Sequence, residues 1–95
     1  MDRQGRNPWP ALAGGVLVAP SLLACDFAHV ADEIAAVTAA GADVIHVDVM
    51  DGHFVPNLSV GPAFVAKIRR CTACPLDVHV MVVDPATYIE RFAQA

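Results

Sequence analysis

The sequence predicts an α/β fold whose strands form a parallel sheet. Three short aliphatic segments alternate with three segments of helical periodicity, and short connections join them. This order of elements is typical of right-handed βαβ units. The 95 residues suffice for one small domain, and 56% of them are hydrophobic, which is the composition of a folded protein.

The first predicted strand is the aliphatic run Val16–Ala19, which Pro20 turns into a loop. Before it, residues 1–15 are rich in proline and glycine, and we expect a poorly ordered leader there. A lipoprotein signal is an alternative, because Leu22–Cys25 has the form of a cleavage site. Two glycines and Pro20 interrupt the helix that a signal core prefers, so the strand is the favoured interpretation.

The first predicted helix begins after Asp26, a suitable N-cap, and ends at Gly41. Its apolar positions recur at helical spacing and are Phe27, Val30, Ile34 and Val37. The second strand is predicted at Asp43–Val49.

Two further helices and a third strand complete the predicted order. Gly61 and Pro62 open the second helix, whose apolar positions are Phe64, Val65 and Ile68. The third strand is predicted at Leu76–Met81. Asp84 and Pro85 then begin a helix that runs to the end of the chain, with an apolar side made of Tyr88, Ile89 and Phe92.

Polar side chains on the second and third strands are predicted to share one face of the sheet. His46 and Asp48 are two residues apart, so a strand points both to the same side. His79 occupies the matching side of the next strand. Helices covering this face in an open sheet would make these polar groups costly, whereas in a barrel they line the mouth.

His46, Asp48 and His79 are therefore candidate metal ligands. Imidazole and carboxylate groups bind divalent zinc, iron, manganese or cobalt. A single strand histidine is more often a hydrogen-bonded core residue, but three convergent groups favour a metal site. Asp48 could also move a proton at a sugar carbon beside the metal ion.

Three other side chains are candidate substrate contacts. Met50 and Met81 would flank the site with apolar surface, although ordinary core packing explains them at least as well. Ser21 could bond a substrate hydroxyl, although a turn serine needs no such role.

Charge and cysteine content narrow the classes of protein further. Six basic and ten acidic residues give a net charge of -4, which argues against nucleic-acid binding. No apolar run reaches the roughly 18 residues of a membrane span. The odd number of cysteines fits a reducing cytoplasm. Cys71 and Cys74 form a single CxxC motif, and we interpret them as loop and packing residues.

Three segments resemble the ribulose-phosphate 3-epimerase family: APSLLACDF at 19–27, GADVIHVDVMDGHFVPN at 41–57 and DVHVM at 77–81. The similarity runs without a gap from about residue 16 to residue 95. It implies a (β/α)8 TIM barrel of which this chain covers about the first three βα units, with 16–95 as the N-terminal part of a ribulose-phosphate-binding domain. The implied full-length enzyme is a cytoplasmic homo-oligomer.

The resemblance also implies a reaction. It is the metal-dependent interconversion of D-ribulose 5-phosphate and D-xylulose 5-phosphate in the pentose phosphate pathway, by movement of the proton on C3 through an enediolate. His46, Asp48 and His79 resemble the metal ligands, Asp48 the proton acceptor, and Ser21 and His79 substrate contacts. A related hexulose 6-phosphate 3-epimerase shares these motifs and stays an alternative.

Other parts of the family's site have no counterpart in these 95 residues. The family's second catalytic aspartate and its glycine-rich phosphate loops belong to later strands. We therefore expect the 95-residue polypeptide alone to be nearly inactive and, with strand edges unpaired, to self-associate. The alternative from another class of function is a non-catalytic fragment that binds metal or assembles with a partner supplying the rest of the barrel.

Overall fold

The computed structural model describes residues 15–95, so nearly all of the leader predicted at 1–15 lies outside the described residues. Two short 3-10 helices, Leu22–Ala24 and Phe27–His29, come first. The longer elements are α1 (Val30–Ala39), β1 (Ile45–Met50), α2 (Pro62–Arg69), β2 (Leu76–Met81) and α3 (Pro85–Gln94). No helix among these residues is long and apolar enough to cross a membrane.

The two strands pair in parallel, as the alternating order of elements predicts. The pairing begins at Ile45 opposite Leu76 and keeps its register to the last residue of each strand. On the polar face it pairs His46 with Asp77, Asp48 with His79 and Met50 with Met81.

The predicted buried strand at Val16–Ala19 is wrong. No regular strand forms there, and the side chains of Val16 and Val18 are 95% and 56% exposed. Among the described residues, the segment has β1 as its neighbour on one side, and its aliphatic side chains are not covered on the other side. Pro20 also lacks the N–H that would donate back to β1, so the ladder stays incomplete.

The same segment nevertheless runs beside β1. The carbonyl of Val18 accepts a hydrogen bond from the amide of Asp43 at 2.9 Å, and the carbonyl of Pro20 accepts one from the amide of His46 at 3.0 Å. Ser21 then forms an isolated parallel bridge with His46. These bonds place the Ser21 side chain next to the polar face of the sheet.

The first helix begins later than the sequence predicts. Asp26 accepts a bond from the amide of Ala28 at 2.9 Å, but it caps the 3-10 helix Phe27–His29 and not α1. Phe27 is consequently half-exposed and stacks on Phe64 of α2, with ring centroids 6.0 Å apart. Gly41 has a φ of 110°, a conformation that favours glycine, and ends the helical segment as predicted.

The core lies between the helices and the aliphatic face of β1. Ile45, Val47 and Val49 of β1 are at most 4% exposed, as their alternation with polar residues predicts. The other buried residues around them are Leu22, Ile34, Val65, Ile68, Val82 and Phe92.

The predicted apolar side of α3 is only partly buried. Phe92 reaches the core, whereas Tyr88 and Ile89 are 37% and 59% exposed. Among the described residues, α3 packs on α2 and β2 and presents its remaining apolar surface to solvent. Cys25, Cys71 and Cys74 are free thiols, and the interpretation of Cys71 and Cys74 as loop and packing residues stays a prediction.

Candidate metal centre

The polar face of the sheet brings together His46, Asp48 and His79. Their potential ligand atoms all lie within 4.8 Å of one another. His46 Nε2 is 3.0 Å and His79 Nδ1 is 3.3 Å from the same oxygen, Oδ1 of Asp48. Strand alternation places the first two residues on one side, and the register sets the third opposite Asp48.

These separations suit a divalent cation. Two ligand atoms bound at about 2.1 Å in a tetrahedral arrangement lie about 3.4 Å apart. The measured separations of 3.0 and 3.3 Å differ from this by a few tenths of an ångström. The ligand atoms of the cluster spread over as much as 4.8 Å, so the two imidazoles would have to move closer together for all three groups to bind one ion.

Exposure differs across the cluster. The side chains of His46 and Asp48 are 23% and 14% exposed, whereas that of His79 is 56% exposed. A molecule could therefore approach from the side of His79, while the other two groups are held by the sheet.

Asp48 is held in its ionised form by its neighbours. The Ser21 hydroxyl donates a short hydrogen bond to Oδ2 of Asp48, and Ser21 Oγ accepts one from the amide of Leu23 at 3.1 Å. Burial acts to raise the pKa of Asp48, but the Ser21 bond and the interactions with His46 outweigh it and bring the pKa below its usual value. The carboxylate is therefore available at neutral pH as a ligand or a proton acceptor.

Ser21 thus lies at the site, as predicted, but its hydroxyl proton is directed to Asp48. The role of Ser21 as a substrate contact stays a prediction. Met50 and Met81 sit opposite each other at the carboxyl ends of the two strands and are partly buried. Their role as apolar walls of a substrate site likewise stays a prediction.

Asp77 is a member of the cluster that sequence reasoning missed. Its Oδ2 atom lies 2.8 Å from His46 Nδ1. Burial acts to lower the pKa of His46, but the bond to Asp77 and the charge of Asp48 raise it above its usual value. The signal was available, because Asp77 precedes His79 by two residues and must share its face.

A third aspartate, Asp51, fixes the loop after β1. Asp51 Oδ1 accepts bonds from the amides of His53 and Phe54 at 2.8 and 2.9 Å, and its Oδ2 accepts one from the amide of Val83 at 2.9 Å. The bonds from Val83 and His53 lower the pKa of Asp51 to about 2. Asp51 thereby ties the end of β1 to the segment that follows β2.

A serine anchors the far side of the same loop, and sequence reasoning missed it as well. The Ser59 hydroxyl donates to the carbonyl of Asp48 at 2.6 Å and accepts from the amide of Met50 at 2.9 Å. The backbone on both sides of Val49 is consequently held in place beside the cluster.

Comparisons with known proteins identify the family of this chain. The model of the ribulose-phosphate 3 epimerase family matches residues 17–95. A ribulose-phosphate 3-epimerase of Synechocystis is 54% identical over 84 residues, covering 88% of this chain and 36% of the relative. The Bacillus subtilis enzyme of that name is 54% identical over 80 residues, covering 84% and 37%. An Arabidopsis thaliana chloroplastic relative is 48% identical over 80 residues, covering 84% and 28%. The chain thus spans about a third of the length of these relatives.

Proposed function

The chain belongs to the ribulose-phosphate 3-epimerase family, and we propose that it supplies part of the active site that interconverts D-ribulose 5-phosphate and D-xylulose 5-phosphate. The observation that carries this proposal is the convergence of His46, Asp48 and His79. The reaction belongs to carbohydrate metabolism, and we place it in the pentose phosphate pathway.

We propose that the elements described form the first part of a (β/α)8 barrel, with the irregular segment 16–20 running beside β1 at its start. In such barrels the functional groups come from the carboxyl ends of several strands. Ser21 follows the first segment, and the histidines and Asp48 lie on two adjacent strands whose opposite face packs on helices. A cytoplasmic location and a homo-oligomeric state stay predictions.

The proposed ligands of a divalent ion are His46, Asp48 and His79. The donor set of two imidazoles and one carboxylate suits zinc, iron, manganese or cobalt. A bound ion would supply positive charge that stabilises an enediolate and so acidifies the carbon-bound proton. The proposal leaves open which of these metals is bound.

We assign to Asp48 the removal of the C3 proton. Its lowered pKa keeps the carboxylate ionised and ready to accept a proton. The hydroxyl of Ser21 orients one carboxylate oxygen, and the backbone on either side is fixed by the bonds of Ser59. The exposed side of His79 leaves room for a sugar phosphate to approach.

Proton exchange tests this assignment more directly than overall turnover. The chain is incubated in D2O with ribulose 5-phosphate, Mn²⁺ and the part of the Bacillus subtilis relative that this chain does not match. NMR then follows deuterium at C3 and the appearance of xylulose 5-phosphate. We expect Asp48→Asn to slow exchange by at least about 100-fold, the lower range for loss of a general base.

Asp26→Asn is the matched control, because it makes the same change at an exposed aspartate, the N-cap of the 3-10 helix Phe27–His29. It should leave the exchange rate unchanged. Absence of exchange with the added polypeptide, or equal rates for Asp48→Asn and the wild type, would overturn the proposal. Metal binding without exchange would favour the non-catalytic alternative.

A further inference from the structure

We propose that Asp77 is a positioning residue of this site, which fixes the proton of the His46 imidazole on Nδ1 and turns Nε2 toward Asp48. This inference rests on the proposed metal function only for its consequence on metal affinity. The tautomer of His46 can be measured without any metal.

The His46 ring lies between two carboxylates. Nδ1 is 2.8 Å from Oδ2 of Asp77, and Nε2 is 3.0 Å from Oδ1 of Asp48. A neutral imidazole carries one N–H, and an ionised carboxylate can only accept. The two aspartates therefore compete for the single proton of the neutral ring.

The surroundings favour Asp77 in this competition. Asp48 already accepts the Ser21 hydroxyl on one oxygen and has His79 Nδ1 at 3.3 Å from the other. Asp77 is the closer of the two aspartates to the ring. The proton consequently belongs on Nδ1, and the lone pair of Nε2 faces the cluster, where a metal ligand needs it.

Asp77 is suited to this role without being required for the core. Its side chain is 47% exposed, and it stands opposite His46 in the strand register. Substitution there should therefore change the imidazole and spare the buried aliphatic face. Carboxylates that hold metal-bound histidines in this way typically contribute about 10- to 100-fold to metal affinity.

The chain contains a matched pair for comparison. His29 Nδ1 lies 2.8 Å from Asp26 Oδ2, which is the same atom pair at the same distance, but both side chains are more than half exposed. That pair lies on a 3-10 helix and its cap, so Asp26→Ala removes an equivalent bond without altering the cluster.

The test uses the full 95-residue chain labelled with 15N-histidine, at a pH where the imidazoles are neutral. The wild type should show His46 as the Nδ1–H tautomer. In Asp77→Ala the proton should move at least partly to Nε2. Asp77→Asn preserves the shape of the side chain and should move it further, because an amide can donate to Nδ1 and is a weaker acceptor than Asp48.

Titration with Zn²⁺ then measures the consequence. We expect affinity to fall about tenfold or more in both Asp77 variants and to stay within about twofold in Asp26→Ala. Retention of the Nδ1–H tautomer in both variants, or wild-type Zn²⁺ affinity in Asp77→Asn, would overturn the inference. Failure of the wild type to bind Zn²⁺ would contradict the proposed metal function, while the tautomer would still decide the role of Asp77.

Discussion

A divalent ion should stabilise the fold strongly, because its ligands come from two strands. His46 and Asp48 lie on β1, and His79 lies opposite Asp48 on β2. An unfolded chain does not hold these groups together, so an ion bound by all three favours the folded state. For a ligand at 100 times its Kd, this linkage is worth about 2.7 kcal/mol.

The expected effect on a chain of 95 residues is large. In a domain of this size, each kcal/mol shifts Tm by about 4–8 °C, so saturation with Zn²⁺ should raise Tm by about 11–22 °C. Thermal unfolding followed by circular dichroism, with and without Zn²⁺ at 100 times its Kd, measures the shift. Residual binding of the ion to the unfolded chain would move the value toward the lower end.

Two variants decide whether this reasoning is correct. His79→Gln should lose most of the Zn²⁺ shift and leave the metal-free Tm nearly unchanged, because His79 is 56% exposed. His53→Gln, at an exposed loop histidine, should retain the full shift. An equal shift in His79→Gln and the wild type, or a wild-type shift of only about 2 °C, would refute the linkage argument.

Zn²⁺ affinity should fall as pH falls, because protons compete for the histidine ligands. The pKa of His46 is raised above its ordinary value of 6.5, so the affinity should begin to fall above pH 6.5. Calorimetric titrations across pH 5–9 measure this, and an affinity that falls only below pH 6.5 would contradict the expectation. Ile45→Ala should cost about 2–5 kcal/mol in denaturant unfolding, because this side chain is fully buried. The matched change at exposed Ile89 should cost about 0.5 kcal/mol or less, and equal costs would contradict the assigned core. Asp51 stabilises the chain above the unfolded pKa of about 3.9, and its contribution is lost as pH falls toward about 2, so Asp51→Asn should flatten acid unfolding in that interval.

Local sequence signals predicted the helices and strands whose boundaries are set by residues nearby in the sequence. The alternation of polar and aliphatic residues in Leu76–Met81 gave the bounds of β2, and Pro62 and Pro85 marked the starts of α2 and α3. The same alternation put His46 and Asp48 on one face. These features depend on strand parity and on proline geometry, both of which are local.

Features that depend on neighbours were harder to predict. The run Val16–Ala19 has the composition of a buried strand, but burial requires a covering element, which composition does not specify. Strand parity alone puts Asp77 on the polar face, but its partner His46 lies 31 positions earlier and is identified only by the register. The bonds of Asp51 to Val83 and of Ser59 to Asp48 join a side chain to the backbone, and the sequence carries only weak signals for such contacts.

The parallel register makes the candidate site a reporter of correct strand pairing. A slip of β2 by one residue would turn His79 and Asp77 toward the helices and present Val78 and Val80 in their place. Such a slipped chain could keep its secondary structure and most of its compactness, yet it would lose the cluster. Substitutions that loosen the pairing are therefore exposed to selection through metal affinity, even where they barely alter folding.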